Sequence, residues 1–150
     1  PEQVVKIRDE VKDKTVEIID KIFNLEWRLD KVIPVYLEHA GKVEDKEEKL
    51  VKTYDLTIML PFETPDRKEK ELEISSFHVH KDFYAERFNF KDKAERPVWT
   101  GCVGIGPTMF AYVFLLRWGF DFDKWPEEIK TIIKKLYGKF PEAPKFISWP

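Results

Sequence analysis

Glu73 and Ser76 set a carboxylate and a hydroxyl three positions apart. Oxygen ligands of these kinds hold magnesium together with water and substrate phosphate. Both lie in a β-prone run, where strict alternation sends positions three apart to opposite faces. A bulge or strand end is required for both to reach one ion. The competing reading is a strand with one exposed acid and one buried hydroxyl. His78 and His80 follow at a spacing of two and share one strand face. Paired imidazoles there ligate zinc or shuttle protons, or else serve as structural or solvated groups. Cys102, the one cysteine, is a good zinc ligand as thiolate and otherwise a buried small hydrophobe. Gly101, Gly104 and Gly106 let backbone approach a planar ligand closely, and the helix after them has an N-terminus suited to anionic groups.

The elements that must position these groups are legible in the pattern. Residues 3 to about 23 read as an amphipathic helix, with Val4, Ile7, Val11, Ile18 and Ile22 as its stripe and Val5 and Ile19 widening it. Leu25 to Leu29 reads as a short strand. Val32 to Leu37 reads as an edge strand interrupted by Pro34. Residues 41 to 49 are highly charged, as in a solvated loop or helical turn. Leu50 to Leu60 alternates as a strand, Tyr54, Leu56, Ile58 and Leu60 against Asp55, Thr57 and Met59. After a polar connector from Pro61 to Lys70, Leu72 to His80 and Pro97 to Val103 read as two further strands, the second broken by Gly104 and Gly106. A helix over Thr108 to Trp118 is capped by Gly119. Trp125-Pro126 introduces a last helix to about Tyr137, with Ile129, Ile132, Ile133 and Leu136 as its buried stripe, and the tail after Gly138 packs on the body. Helix, several strands, helix, helix predicts an α+β fold with a largely antiparallel sheet and flanking helices, as one domain over residues 1–150.

The chain is long enough, at 150 residues and 43% hydrophobic, to bury a real core. Its 26 basic and 28 acidic residues argue against nonspecific nucleic-acid binding across the whole surface, but not against a local basic patch. Dense mixed Lys and Glu fit a heat-adapted protein. One cysteine excludes an internal disulfide and points to a reducing, cytoplasmic setting. No apolar run reaches about 18 residues, so no membrane span is expected. The chain opens on Pro1 without a methionine, which fits a start that has been removed.

Two motifs carry a resemblance. Glu73-Ile74-Ser75-Ser76 is followed by His78-Val79-His80-Lys81-Asp82-Phe83-Tyr84-Ala85-Glu86-Arg87, and Thr100-Gly101-Cys102-Val103-Gly104-Ile105-Gly106 opens an apolar helix. Together they resemble the C-terminal half of a class II aminoacyl-tRNA synthetase catalytic domain, most of all the methanogen-type seryl-tRNA synthetases and the related amino acid:carrier-protein ligases. The resemblance implies ATP with magnesium at Glu73 and Ser76 and a nucleotide-binding loop at Gly104 and Gly106; Arg87 and Arg117 are candidates to supply a charge to the nucleotide, though no spacing places them there. It also implies zinc through Cys102; the family's other ligands are not found, and His78 and His80 are candidates by residue type to substitute for them. Implied partners are an amino acid and a nucleotide, a tRNA or carrier protein, and a second copy or complementary synthetase half. Two departures weigh against catalysis by this chain alone. Met109 stands where the family places an arginine on ATP, and Met109 has no charge and no fork of donors. The first two class II motifs are not found, and Pro1 to Val4 looks like the helix that follows the second. The expectation is a degenerate or partial domain. The alternative is part of an ATP-dependent ligase that forms an aminoacyl-adenylate.

Overall fold

The computed structural model describes residues 2–32, 53–63, 70–96 and 98–139. Four strands form one antiparallel sheet in the order β1-β2-β3-β4. They are β1 (Trp27–Val32), β2 (Thr53–Met59), β3 (Glu71–Lys81) and β4 (Thr100–Ile105). The helices are α1 (Glu2–Glu17), α2 (Phe83–Phe88), α3 (Pro107–Trp118) and α4 (Glu127–Tyr137). This is the expected α+β class with a largely antiparallel sheet.

One face of the sheet is sealed. Leu56 and Ile58 of β2 meet Leu72, Ile74 and Phe77 of β3, and Ile19 and Val113 close over them. Full burial of such side chains stabilises by about 1.5–3 kcal/mol each. The apolar positions of α3 supply the lid because nearly every residue from Met109 to Leu116 is apolar, so any face turned to the sheet is greasy. Gly106 caps this helix at its start, Pro107 takes the first helical position, and Gly119 ends it at φ 69°. Trp118 Nε1 donates to the Phe23 carbonyl at 2.9 Å and pins the end of α3 to the turn after α1.

Several boundaries and faces differ from the sequence reading. α1 continues into a wider π turn over Ile18–Ile22, with Phe23 N–H donating to the Ile18 carbonyl at 3.0 Å. Leu25 is therefore buried in the connection, and β1 begins two residues later than expected. On α1 the buried positions are Arg8 and Thr15, while Ile7 is 51% exposed. Thr15 satisfies its hydroxyl by donating to the Val11 carbonyl at 2.8 Å, and the Arg8 guanidinium lies over the Tyr54 ring. β4 starts at Thr100 rather than Pro97 and runs straight through Gly104, ending only at Gly106. Leu136 is exposed, and α4 holds no fully buried residue. The edge run to Leu37, the charged residues 41–49, most of the Pro61–Lys70 connector and the tail from residue 140 lie outside the described residues.

Candidate active site

The other face of the sheet is polar and more open: Glu73 is exposed and Asp55, Ser76 and His78 are half-buried, while Thr53, Thr57 and His80 are buried. Its geometry turns on one extra residue. Leu56 pairs with Ser75, but the next residue of β2, Thr57, pairs with Glu73, so Ile74 is unmatched and forms a β-bulge. Burial changes parity at that point. Leu72 and Ile74 face the core before it, and Ser75, Phe77 and Val79 are the buried set after it. Glu73 and Ser76, three apart in sequence, consequently share the open face. Their partners across the ladder, Thr57 and Asp55, are two residues apart on β2, or about 7 Å along the strand.

Asp55 is the residue that sequence reasoning missed. It sits directly opposite Ser76 and, on its other side, opposite Asp30 of β1. The signal was present as the polar half of the alternation in β2, to which no role was assigned. Arg28, Asp30, Asp55, Thr57, Glu71 and Glu73 line a cleft of about 320 Å³. Two of these carboxylates are already engaged. The Arg28 guanidinium donates to Asp30 at 2.7 and 2.9 Å and to Glu71 at 2.9 Å. This holds the Asp30 carboxyl below its usual range. Asp55 and Glu73 have no hydrogen-bond or ion-pair partner among the described residues. Burial pushes the Asp55 carboxyl up, against an opposing effect of His78 and with a further push from Asp30. Burial likewise raises Glu73, and Asp55 adds to it. Two elevated, unneutralised carboxyls beside a hydroxyl form a donor set that suits a hard divalent cation.

Gly104 pairs with Ser76 across the ladder between β3 and β4. A Cβ at Gly104 would stand 3.0 Å from Ser76 Oγ, so the glycine leaves that hydroxyl its room. Gly106 lies beyond the strand as the α3 cap, with Met109 packed beside it. Met109 belongs to the residues packed against the core. Arg87 is on α2, its guanidinium 4.2 Å from the centre of the Phe83 ring. The guanidinium that lines the cleft is that of Arg28.

His78, His80 and Cys102 do gather on the open face. His78 Nδ1 is 3.3 Å from Thr53 Oγ1, and His80 Nδ1 is 3.2 Å from Thr100 Oγ1. A second unmatched residue in β3, His80 itself, shifts the register against β4. Cys102 Sγ reaches His80 Nε2 at 3.4 Å. Burial lowers both imidazoles, and for His80 the neighbouring His78 adds to the effect. Burial raises the thiol, which is nevertheless on an exposed residue, so the buried-hydrophobe reading of Cys102 is corrected. Among the described residues, no group of three or more His, Cys, Asp or Glu side chains is placed to hold a metal ion. The three side chains expected to take zinc therefore form a hydrogen-bonded pair, His80 with Cys102, and a separate His78 on Thr53.

A sheet sealed by helices on one side, with a bulge-aligned acid and hydroxyl on the other and a glycine strand running into an apolar helix, defines a class II aminoacyl-tRNA synthetase-like domain. The comparisons agree, and this chain is such a domain, corresponding to a C-terminal part of the catalytic unit. It is 34% identical over 156 residues to the type-2 serine–tRNA ligase of Methanopyrus kandleri, with all of this chain and 29% of that protein covered. It is 36% identical over 152 residues to that of Methanococcus maripaludis strain C7, covering all of this chain and 28% of the relative. It is 37% identical over 148 residues to that of Methanocaldococcus jannaschii, covering 95% of this chain and 27% of the relative. A crystal structure of M. kandleri SerRS in complex with A. aeolicus tRNASec superposes with a TM-score of 0.72 at 30% identity, over 100% of this chain and 29% of that one. The chain thus spans under a third of the length of the relatives it matches. No family model matches it.

Proposed function

We propose that this chain provides the magnesium–nucleotide part of a class II amino acid-activating site and does not complete the reaction alone. The observation that carries the reading is the Ile74 bulge, which sets Glu73 and Ser76 on one face beside Asp55. Glu73 and Ser76 would hold the ion, with Asp55 as a third oxygen donor and Gly104 keeping the approach to Ser76 open. Magnesium supplies neutralisation of phosphate charge during the attack of a carboxylate on the α-phosphate. Met109 supports the second clause. It packs on the core and offers no charge to a phosphate, and loss of such an electrostatic contact typically lowers rate by about 10² to 10³.

The chain's similarity to type-2 serine–tRNA ligases supports a wider reading, in which it works as part of an ATP-dependent ligase that forms an aminoacyl-adenylate and pyrophosphate. The acceptor would then be a tRNA, as in the complex of the structural neighbour, or a carrier protein, and the setting cytoplasmic. The outer edge of β4, which pairs with no further strand among the described residues, is where a second copy or a complementary synthetase half would extend the sheet.

Calorimetric titration with magnesium-ATP tests the core of the proposal. Saturable binding is expected, weakened at least tenfold by Glu73→Ala and by Asp55→Asn. Unaltered binding in both variants would remove the cleft from the site. Pyrophosphate exchange, measured with and without a complementary synthetase half, separates the partial enzyme from a domain that only binds.

A further inference from the structure

The helical side of the molecule carries an apolar slot of about 460 Å³ between α3 and α4. Its walls are Phe110, Phe114 and Leu115 of α3, with Trp125, Ile129 and Ile133 opposite. Ile105, at the end of β4, also lines it and is 46% exposed. α4 repeats Ile129, Ile132, Ile133 and Leu136 at helical spacing, yet none of its residues is fully buried. Water against such a stripe is unfavourable, and covering it is a source of stability.

We infer that residues 140–150 of this same chain fill the slot and clasp α4 to α3. Reach, composition and tether all favour this occupant. The described chain ends at Lys139, one residue past Gly138, which closes α4 in a left-handed turn at φ 73°. Ile133 and Ile129 lie about 7 and 14 Å back along the helix. The eleven residues that follow span up to about 36 Å when extended, enough to run the length of the slot. They carry Phe140, Phe146, Ile147 and Trp149 and only two charges, Glu142 and Lys145. Large rings contribute most where an apolar slot takes them out of water. Pro141, Pro144 and Pro150 restrict the segment before it docks, which lessens the entropy lost on ordering. A short covalent tether gives the segment an effective concentration in the millimolar range, which a separate partner must exceed. A second copy fits less well. Stable interfaces between chains bury about 1,200–2,000 Å², whereas this slot takes a few side chains.

Photo-cross-linking in the full chain tests the clasp, with p-benzoylphenylalanine in place of Phe146 and an equal mixture of unlabelled and heavy-isotope-labelled protein. Cross-links within one chain, to α3 or α4, are expected. Ile133→Glu puts a charge in the slot and should cut that yield about tenfold, with circular dichroism checking helix content. Cross-links between chains would give the slot to a second copy. Cross-links to other elements, or none, would place the segment elsewhere. Each of these results overturns the inference. A second measurement leaves the folded body unaltered. Phe146→Glu combined with Trp149→Glu should uncover the slot and raise the fluorescence of added anilinonaphthalene sulfonate severalfold. An unchanged signal also overturns the inference. The cleft plays no part in this contact, so the magnesium-ATP titration and the cross-linking succeed or fail independently.

Discussion

At the scale of single residues, Glu73 and Asp55 are neighbours whose charges lack a counter-ion in the protein. Their elevated carboxyls fix the sign of a pH effect. Protons compete with a cation for the same oxygens, so magnesium binding should be lost as pH falls through the raised Glu73 value. That loss should begin above the range of an ordinary glutamate, about 4.3. Titrations of magnesium affinity across pH 4 to 7 would show the midpoint moving down when Asp55→Asn removes the neighbouring charge. The histidines give a second check, on stability. His78 and His80 are held neutral in the folded chain below the ordinary imidazole value of about 6.5. The unfolded chain therefore binds more protons in that window, and stability present above it is lost as pH falls through it toward the depressed folded values. Denaturant midpoints measured at pH 7.5 and 5.5 should differ, and the difference should shrink in His80→Gln. Residue type marked Glu73, Ser76 and the histidine pair as candidates, but spacing alone put Glu73 and Ser76 on opposite faces, and the bulge that aligns them was not readable. Nor was Asp55, because pairing across a sheet is a long-range fact that alternation within one strand does not reveal.

At the scale of elements, two glycines of β4 have separate duties. A Cβ at Gly101 would lie 2.7 Å from the His78 carbonyl oxygen and 3.1 Å from Val4 Cγ1. Backbone cannot yield there, so Gly101→Ala should destabilise by about 1–3 kcal/mol and loosen α1 from the sheet, seen as a lowered thermal midpoint. At Gly104 the obstacle is Ser76 Oγ, a side chain that can rotate away. Gly104→Ala should leave the thermal midpoint nearly unchanged and weaken magnesium binding severalfold by displacing that hydroxyl. The strands β2 and β3 were readable from period-two patterning, as were α3 and its glycine cap. The stripe of α1 was right in part: Val11 and Ile19 pack in the core, but Ile7 is exposed, and Arg8 and Thr15, polar by type, are buried, the one over the Tyr54 ring and the other by an internal hydrogen bond. The helix at Phe83–Phe88 has too few residues for a periodic signal, and the sequence reading assigned none there.

At the scale of the whole molecule, stability and chemistry occupy opposite sides of one sheet. Phe77, fully buried among helices, and Ser76, next to it in sequence, belong to different tasks. Phe77→Ala should cost about 3–5 kcal/mol through the cavity it leaves, and chemical denaturation would measure it. Ser76→Ala should leave the denaturation midpoint within about 0.5 kcal/mol of the parent while impairing nucleotide binding. The fold class followed from the order of helical and alternating segments. The faces on which α3 and α4 pack did not, since α3 is apolar nearly all round and α4 keeps Leu136 in solvent.

The unmatched Ile74 acts as a phase shifter. On either side of it the same strand is read with opposite parity, odd numbers facing solvent before it and even numbers after. Were Ile74 drawn into regular pairing with β2, every side chain of the site would remain and Glu73 would turn to the side opposite Ser76, whereas deletion of Ile74 would leave the two residues two apart and on one face. The site is thus specified by how the strand is paired as much as by the identities of its residues, and no substitution at Glu73 or Ser76 restores a lost bulge.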